Sequence, residues 1–455
     1  MRHRFVAVLA ASALACLAAA SASPAYEGAA GKAAPADPSP PLTPDERARV
    51  DAWLRDLDHR EPSRRAEATA ALRAFGPRAL PGLRAAAASG SEERRARAGL
   101  LVQVLEAGAD APEEGDGSWI TLKGDMGRTG SRGVAPSRGV AVRGSFAVGF
   151  NREHPLDAPL ACADGVLVVA HGDRVTALRA SDLRHLWEVG LGSPVLASPV
   201  VAAGRVFVGT SRGLTSLDLR DRKEMWTVSA AYGVGAAPLV CGNTLYACLG
   251  DEAVVALDPA TGAQRWEHRC AAGSAAPVLA AGRVVLGTRT GEVLALDAAT
   301  GKVAWTLPVD GRMAFSPATV GGSVVVGDGG RRLRCVDAAS GTVLWTRSVE
   351  GRFAGDGPAA SARAIVFSTT NMEVEAYEPA TGARLWRRWV GTRHLSSPAL
   401  AGDLVLFGAR TRLVAVSARS GDDAWEIDLD GEVSCPLIAA GTAFALAGGR
   451  LVAVR

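Results

Sequence analysis

The sequence is poor in the residue patterns from which most redox and metal sites are built. Its seven cysteines include no adjacent pair, no CxxC and no CxxCH. That removes the ligands of a zinc ribbon, a thioredoxin-like centre or a c-type haem. Neither a P-loop nor a dinucleotide-binding glycine fingerprint is present. Serine, histidine and aspartate occur in loops, but without the strand–turn–helix setting of a nucleophile elbow such as G-x-S-x-G, so no triad is supported. His171 and His394 stand alone in loops and are expected at the surface rather than on a metal. An excess of one charge is lacking as well. Fifty basic and 47 acidic residues leave a net +3, which gives no electrostatic case for nucleic acid or an anionic membrane. Aromatic residues make up only 5% of the chain, yet ten of them are tryptophan, and glycine reaches 52 residues. At 455 residues and 48% apolar, the chain suffices for a large core and more than one domain.

Residues 1–22 read as an export signal. A basic start (MRHR) leads into the compact apolar run FVAVLAASALACLAAA, and Ala20-Ser21-Ala22 suits signal-peptidase cleavage. The run is short for a membrane span. An exported protein of the periplasm or cell envelope is expected, with no transmembrane span once the leader is gone. Cys16, in ALAC, faintly resembles a lipoprotein acceptor. Apolar residues continue past it, and Ala13 replaces the branched residue expected there, so lipid anchoring is the minority reading. Loss of the leader leaves Cys162, Cys241, Cys248, Cys270, Cys335 and Cys435. Their even number permits disulfides, but irregular spacing does not specify the pairing.

Residues 23–42, rich in Ala, Pro and Ser, read as a disordered linker. Helical signals fill 43–108. Thr43-Pro44-Asp45-Glu46 offers a capping threonine, a proline at the first position and a glutamate three residues after the cap. Val50, Trp53, Leu54 and Leu57 then lie on one helical face, and Ala68, Ala71, Leu72 and Phe75 repeat that spacing up to Gly76-Pro77. A third helix is expected over 79–88. A fourth is expected from about Ser91 to Gly108, burying Ala98, Leu101 and Leu105. The core A-x-x-A-L-x-x-F-G-P-x-A-L-P-x-L resembles a HEAT-like helical repeat. Two helix pairs are few for a free-standing solenoid, so the unit is expected to pack on something. Residues 109–118 (ADAPEEGDGS) form a second linker.

From Trp119 to the C terminus the pattern changes to short β-branched runs and frequent glycine. Trp187, Trp226, Trp266, Trp305, Trp345, Trp386 and Trp425 recur every 39–41 residues. Prolines at 159, 199, 238, 277, 317, 358, 398 and 436 keep the same beat. Each unit reads as four strands; in the second these are 199–202, 205–209, 213–219 and 223–228. Forty residues with four short strands is the signature of a β-propeller blade. The last unit shows only three strands before Arg455. Counting back 41 from Trp187 lands on Phe146 in GSFAVGF, a strand that would complete that blade and close the ring. The expected fold is mainly β: an eight-bladed propeller over 119–455, closed by an N-terminal strand and preceded by the small helical domain.

Within the units one phrase repeats, as in ALDPATGAQRW (256–266) and ALDAATGKVAW (295–305). Its Asp is expected to accept backbone N–H groups in a turn, and its Gly to take a left-handed conformation. Its Trp is expected to pack between blades, burying roughly 150–250 Å². A motif recurring once per blade is structural before it is catalytic, because an active site needs one constellation of different groups. The two earliest copies place Leu183 and Arg222 where the glycine belongs, so their turns are expected to differ in conformation.

The phrase A-x-D-x-x-T-G-x-x-x-W resembles the tryptophan-docking motif of pyrroloquinoline-quinone-like (PQQ-like) propeller repeats. It is complete at 256–266 and 295–305, and close at 335–345 (Ser340 for Thr) and 376–386 (Glu378 for Asp). At 415–425 it is reduced to Ala, Gly and Trp. The segment from Trp119 to Gly130 is similar to the one that precedes such propellers. The resemblance implies either of two roles. Quinoprotein dehydrogenases hold PQQ and calcium over the axis, with an adjacent cysteine pair, an aspartate base and ligands on long insertions. Here adjacent cysteines are missing and the units are nearly uniform in length. Asp356, Asp403, Asp422 and Asp423 read as solvated turn residues. The other branch comprises exported scaffolds, among them the propeller lipoprotein of the outer-membrane β-barrel assembly machinery. A non-enzymatic scaffold with protein partners and no cofactor is therefore expected, as a monomer, with PQQ plus calcium as the runner-up. Arg312, Arg352 and Arg393 fall in consecutive loops on one face, with Arg331, Arg332, Arg410 and Arg412 in neighbouring loops. Phe315, Phe353 and Trp389 lie close in sequence. Guanidinium groups interleaved with aromatics suit anionic or carboxylate-bearing ligands, and the plainer reading is a set of solvated loops.

Overall fold

The structure, a computed structural model, describes residues 42–107, 140–148, 160–273 and 275–455. The export signal, Cys16, the two linkers (apart from Leu42), Trp119 to Gly130 and Pro159 lie outside the described residues. Helices α1 (Pro44–Asp56) and α2 (Pro62–Phe75) pair with each other, as do α3 (Leu80–Ala88) and α4 (Glu92–Ala107), with a short 3-10 turn between the pairs. The capping signal acts as its residue types dictate. Thr43 Oγ1 accepts from the Glu46 amide at 3.3 Å, and Glu46 Oε2 accepts from the Thr43 amide at 2.9 Å. Val50, Leu54, Leu57, Leu72, Leu83, Ala98, Leu101 and Leu105 fill the space between the pairs. Among the described residues no helix is long and apolar enough to cross a membrane.

Eight four-stranded antiparallel sheets follow, each a blade. Blades 1 to 7 span 160–190, 200–229, 239–269, 278–308, 318–348, 353–389 and 399–428. The second unit has strands at Val200–Ala202, Arg205–Thr210, Gly213–Asp218 and Glu224–Ser229, within about a residue of the sequence pattern. Blade 8 takes three strands from 437–454 and its outer strand, β1 (Val142–Ala147), from the other end of the ring. The innermost strands of blades 8 and 1 touch, as those of blades 1 and 2 do, so the ring is closed.

The repeated phrase forms the joint between blades. Asp258 Oδ1 accepts the amides of Ala260 and Thr261, and Gly262 follows at φ +73°. A Cβ on Gly262, Gly301, Gly341, Gly382 or Gly421 would lie 2.6–2.8 Å from the ring of Trp226, Trp266, Trp305, Trp345 or Trp386 of the preceding blade. Glycine is needed here both for its backbone and for its missing side chain. Each of these indoles also donates to a carbonyl in the same turn of the next blade, Trp305 to Ala338 at 2.9 Å for example. Trp187 does the same to Leu219, and the ring of Trp425 packs against the core shared with blade 8.

Two expectations are corrected around blade 1. The turns with Leu183 and Arg222 do not differ in conformation. Their φ values are +58° and +62°, and both keep the amide-to-carbonyl bond of the glycine turns. The fold imposes the left-handed geometry on these side chains, at about 1–2 kcal/mol each. Phe146, counted as the eighth docking aromatic, is not at the tryptophan position. Trp305 pairs with Ala295 and Trp425 with Ala415, each just inside a bulge, and the residue matching them in β1 is Gly144, paired with Ala453. Spacing alone cannot register a strand whose connection to the next blade differs in length. Phe146 lies two residues further on, stacked on His185. Leu183 leans over Gly144, so the large side chain of this joint comes from the opposite blade.

The helices rest on the outer edge of blades 5 and 6. Arg97 of α4, only 5% exposed, donates to the Leu344 carbonyl at 2.9 Å and pairs with Glu93. Arg73 of α2 pairs with Glu378 at 2.6 Å, in the turn of blade 6. Leu344 is thereby 6% exposed, whereas Leu186, Met225 and Leu385, at the same place before the tryptophan, are 38–44% exposed.

Candidate functional site

The loops between successive blades share a face with the loops joining each second and third strand. Arg312 and Arg352 occupy matching places there, each just before the residue paired to the end of the second strand (Met313 with Asp328, Phe353 with Thr369). In the next blade the paired residue is Leu395, so the matching place belongs to His394, and Arg393 is one residue out of step. His394 faces Glu432 at 3.3 Å, so the basic arc ends on an acidic group. Three of the seven arginines are tied down. Arg332 pairs with Asp310, Arg412 pairs with Glu426, and Arg331 donates to the Glu350 carbonyl. Arg312, Arg352, Arg393 and Arg410 are exposed, and their side chains have no polar partner among the described residues.

The aromatic residues do not interleave with them. Phe315 and Phe353 are buried and meet edge to face at 4.8 Å, continuing through Phe367 to Tyr377 between blades 5 and 6. Only Trp389, 68% exposed, remains at the surface. That joint also hides Glu375, which accepts the Tyr377 hydroxyl at 2.8 Å and whose carboxyl pKa burial raises. Its signal in the sequence is EVEAY, which puts a glutamate at a strand position that is apolar or hydroxylic in every other blade except blade 5, where Arg334 stands. A second such group is the Asp328–Arg334 pair at 3.1 Å, almost fully buried in blade 5.

His171, expected at the surface, is 7% exposed and bonds Thr176 at 3.0 Å. The six described cysteines are free thiols, four of them buried. Burial pushes Cys162 and Cys335 up to about 12 and Cys270 to about 11, which makes them poor nucleophiles and poor soft-metal ligands. Near the axis, Cys435 of blade 8 shares an apolar cluster with Ala236, Ala237, Ala272 and Ala276, which flank blades 3 and 4. Blades 1 and 2 contribute nothing to that cluster, so Cys435 joins residues from the other side of the ring. Around it, Ser397 Oγ accepts from the Asp356 amide, the Asp356 carbonyl from the Ser316 amide, and Ser316 Oγ from the Ala276 amide. Asp403 pairs with Arg363, Asp422 with Ser420 and Asp423 with Arg388, all on the hairpin and turn side opposite the arginines. Among the described residues these four carboxylates are not brought together.

The sequence profile of the PQQ_2 family, described as outer membrane protein assembly factor BamB, matches residues 112–276, 250–372 and 370–455. The chain belongs to this family. Among solved structures, BamB from Moraxella catarrhalis is 19% identical, with a TM-score of 0.58 over 70% of this chain and 99% of that one. The quinohemoprotein alcohol dehydrogenase ADHIIG from Pseudomonas putida HK5 is 14% identical, with a TM-score of 0.61 over 76% of this chain and 83% of that one. At these identities the likeness establishes the propeller fold, which assembly factors and quinoprotein dehydrogenases share. The serine/threonine-protein kinase AfsK of Streptomyces griseus is 31% identical over 169 residues, 33% of this chain. The matched stretch covers 21% of that kinase.

Proposed function

We propose that this protein is a non-enzymatic, exported scaffold of the cell envelope that binds a protein partner through the arginine-bearing loop face of its propeller. The observation that supports this reading best is the set of unpaired guanidinium groups at Arg312, Arg352, Arg393 and Arg410 on one face of a rigid ring. Exposed, unpaired guanidinium groups accelerate encounter with an acidic surface and form bidentate bonds to carboxylates. Membership of a family described by an assembly factor agrees with that role. The helical domain, read as HEAT-like, adds a second display surface.

The test is charge reversal. Arg312→Glu, Arg352→Glu and Arg393→Glu together should leave the fold intact, because all three side chains are exposed, and should abolish recovery of the envelope partner captured by the unaltered protein. Undiminished recovery would sink the proposal. Because dehydrogenases share the fold, PQQ and calcium should also be titrated into the purified chain. Saturable binding with alcohol oxidation would replace the scaffold reading by an enzymatic one.

A further inference from the structure

A cleft of about 610 Å³ opens on the outer edge between blades 1 and 2. Asp164, Leu186 and Trp187 line it on one side, with Arg205, Asp218, Leu219 and Arg220 on the other. Its place in the ring repeats the place between blades 5 and 6 that carries the helices. Leu186 corresponds to Leu344, Trp187 to Trp345, and Asp218 to Glu378, the partner of Arg73. There the rim leucine is covered; here it is 38% exposed.

The two places differ in which charged group lacks a hydrogen-bonded partner on the propeller. In blade 6 the residue beside Glu378 is Ala364, which leaves the carboxylate to the helix. In blade 2 it is Arg205, paired in register with Asp218. Asp218 already accepts the amides of Arg220 and Asp221 at 2.8 Å, and these bonds hold its carboxyl below the usual range. It forms no ion pair with Arg205, whereas the matching pair in blade 4, Arg283 and Asp297, closes to 2.7 Å. Arg205 Nη1 is buried and has no hydrogen-bond partner among the described residues. The joint is also the one in which Arg222 stands where five others have a glycine pressed against the tryptophan ring.

We infer that this cleft docks an amphipathic helix of a partner protein, with an apolar residue on Leu186 and Trp187 and a carboxylate on Arg205. The chain's own use of the matching place supports a helix as occupant, and the Arg205 guanidinium, short of a hydrogen-bond partner, selects an acidic one over the Arg73-bearing α2. This surface is separate from the arginine face, so the two proposals stand or fall independently.

The probe is a stapled helical peptide with the sequence of residues 62–75, made with Arg73→Glu and in its native form. Fluorescence anisotropy against the purified full chain should show saturable binding of the acidic peptide, at least about tenfold tighter than the native one, a difference of about 1.4 kcal/mol. Arg205→Glu should reverse that preference, and Leu186→Glu should abolish binding of both, with unchanged thermal melts. Leu385→Glu, at a rim position on another blade, should have no effect. No saturable binding, equal affinity for the two peptides, or binding that survives Leu186→Glu overturns the inference.

Discussion

Between blades 4 and 5 the large residue of the joint is Trp305 and the small one is Gly341; between blades 8 and 1 the small residue is Gly144 and the large one is Leu183. Both joints hold a left-handed turn with a large side chain against a glycine, but that side chain arrives from opposite sides. The regular joint adds an indole-to-carbonyl bond, Trp305 to Ala338, which leucine cannot make. A ring closed by a strand from the far end of the chain must form its last joint from separate stretches of sequence. The seam keeps the volume of the joint and gives up its hydrogen bond. What is held constant around the ring is therefore the filled space and the turn geometry, more than the identity of either residue.

The largest effect should come from breaking a regular joint. Trp305→Ala removes a ring packed on Gly341 and leaves the Ala338 carbonyl unpaired, and should cost about 3–5 kcal/mol in denaturant unfolding. A soluble Trp305→Ala protein of unaltered stability would contradict the docking role.

The seam should respond next. Leu183→Gly leaves a joint with glycine on both sides and should cost about 2–4 kcal/mol, the cavity term outweighing the relief of a strained φ. Gly144→Trp combined with Leu183→Gly rebuilds the regular arrangement. The double variant should recover most of that loss in the same unfolding assay. If it is no better than Leu183→Gly alone, the two residues are not exchanging roles.

This seam also marks how much was legible in the sequence. Blade number, strand limits and the joint phrase follow from a repeat that the chain writes many times, and its continuously apolar middle strands require burial on both faces of a blade. Closure by β1 was legible too, but not its register, because a period of about forty residues does not fix a bulged strand to within two positions. Leu183 and Arg222 looked like broken turns because propensity was read locally. Ring geometry overrides it, and neighbouring blades supply the compensating contacts. On the loop face, counting placed Arg312 and Arg352 in step but misplaced Arg393 by one, and it could not tell that Phe315 and Phe353 turn inward. Arg205 carried no signal at all. Its significance lies in a neighbour that fails to pair with it.

Arg222 gives a smaller test of the comparison. Unlike Leu183 its side chain is exposed, so it contributes strain without filling the joint. Arg222→Gly should stabilise the protein by about 0.5–1 kcal/mol, the relief of left-handed strain being partly offset by the freedom glycine gains when unfolded. A thermal melt reads the change. Destabilisation would mean that Arg222 packs against Trp187 much as Leu183 packs against Gly144.

The smallest effect separates the turns by charge. In the regular turns Arg265 and backbone amides hold Asp258 below the usual carboxylate range, and Thr300 does the same for Asp297. The blade 1 turn has Arg179 at that place, and its one carboxylate, Asp182, accepts the Arg184 amide and not that of Leu183. A carboxyl whose folded pKa lies below its unfolded value of about 3.9 stabilises the turn fully above that pH, and the contribution is lost as pH falls through the lower folded value. Below about pH 4, amide exchange at Thr261 and Thr300, corrected for the intrinsic rate, should therefore lose protection, while Leu183 keeps its own. Equal loss at all three would show that the caps follow the stability of the whole ring and not their own carboxylates, and the distinction between regular and irregular turns would then be one of packing alone.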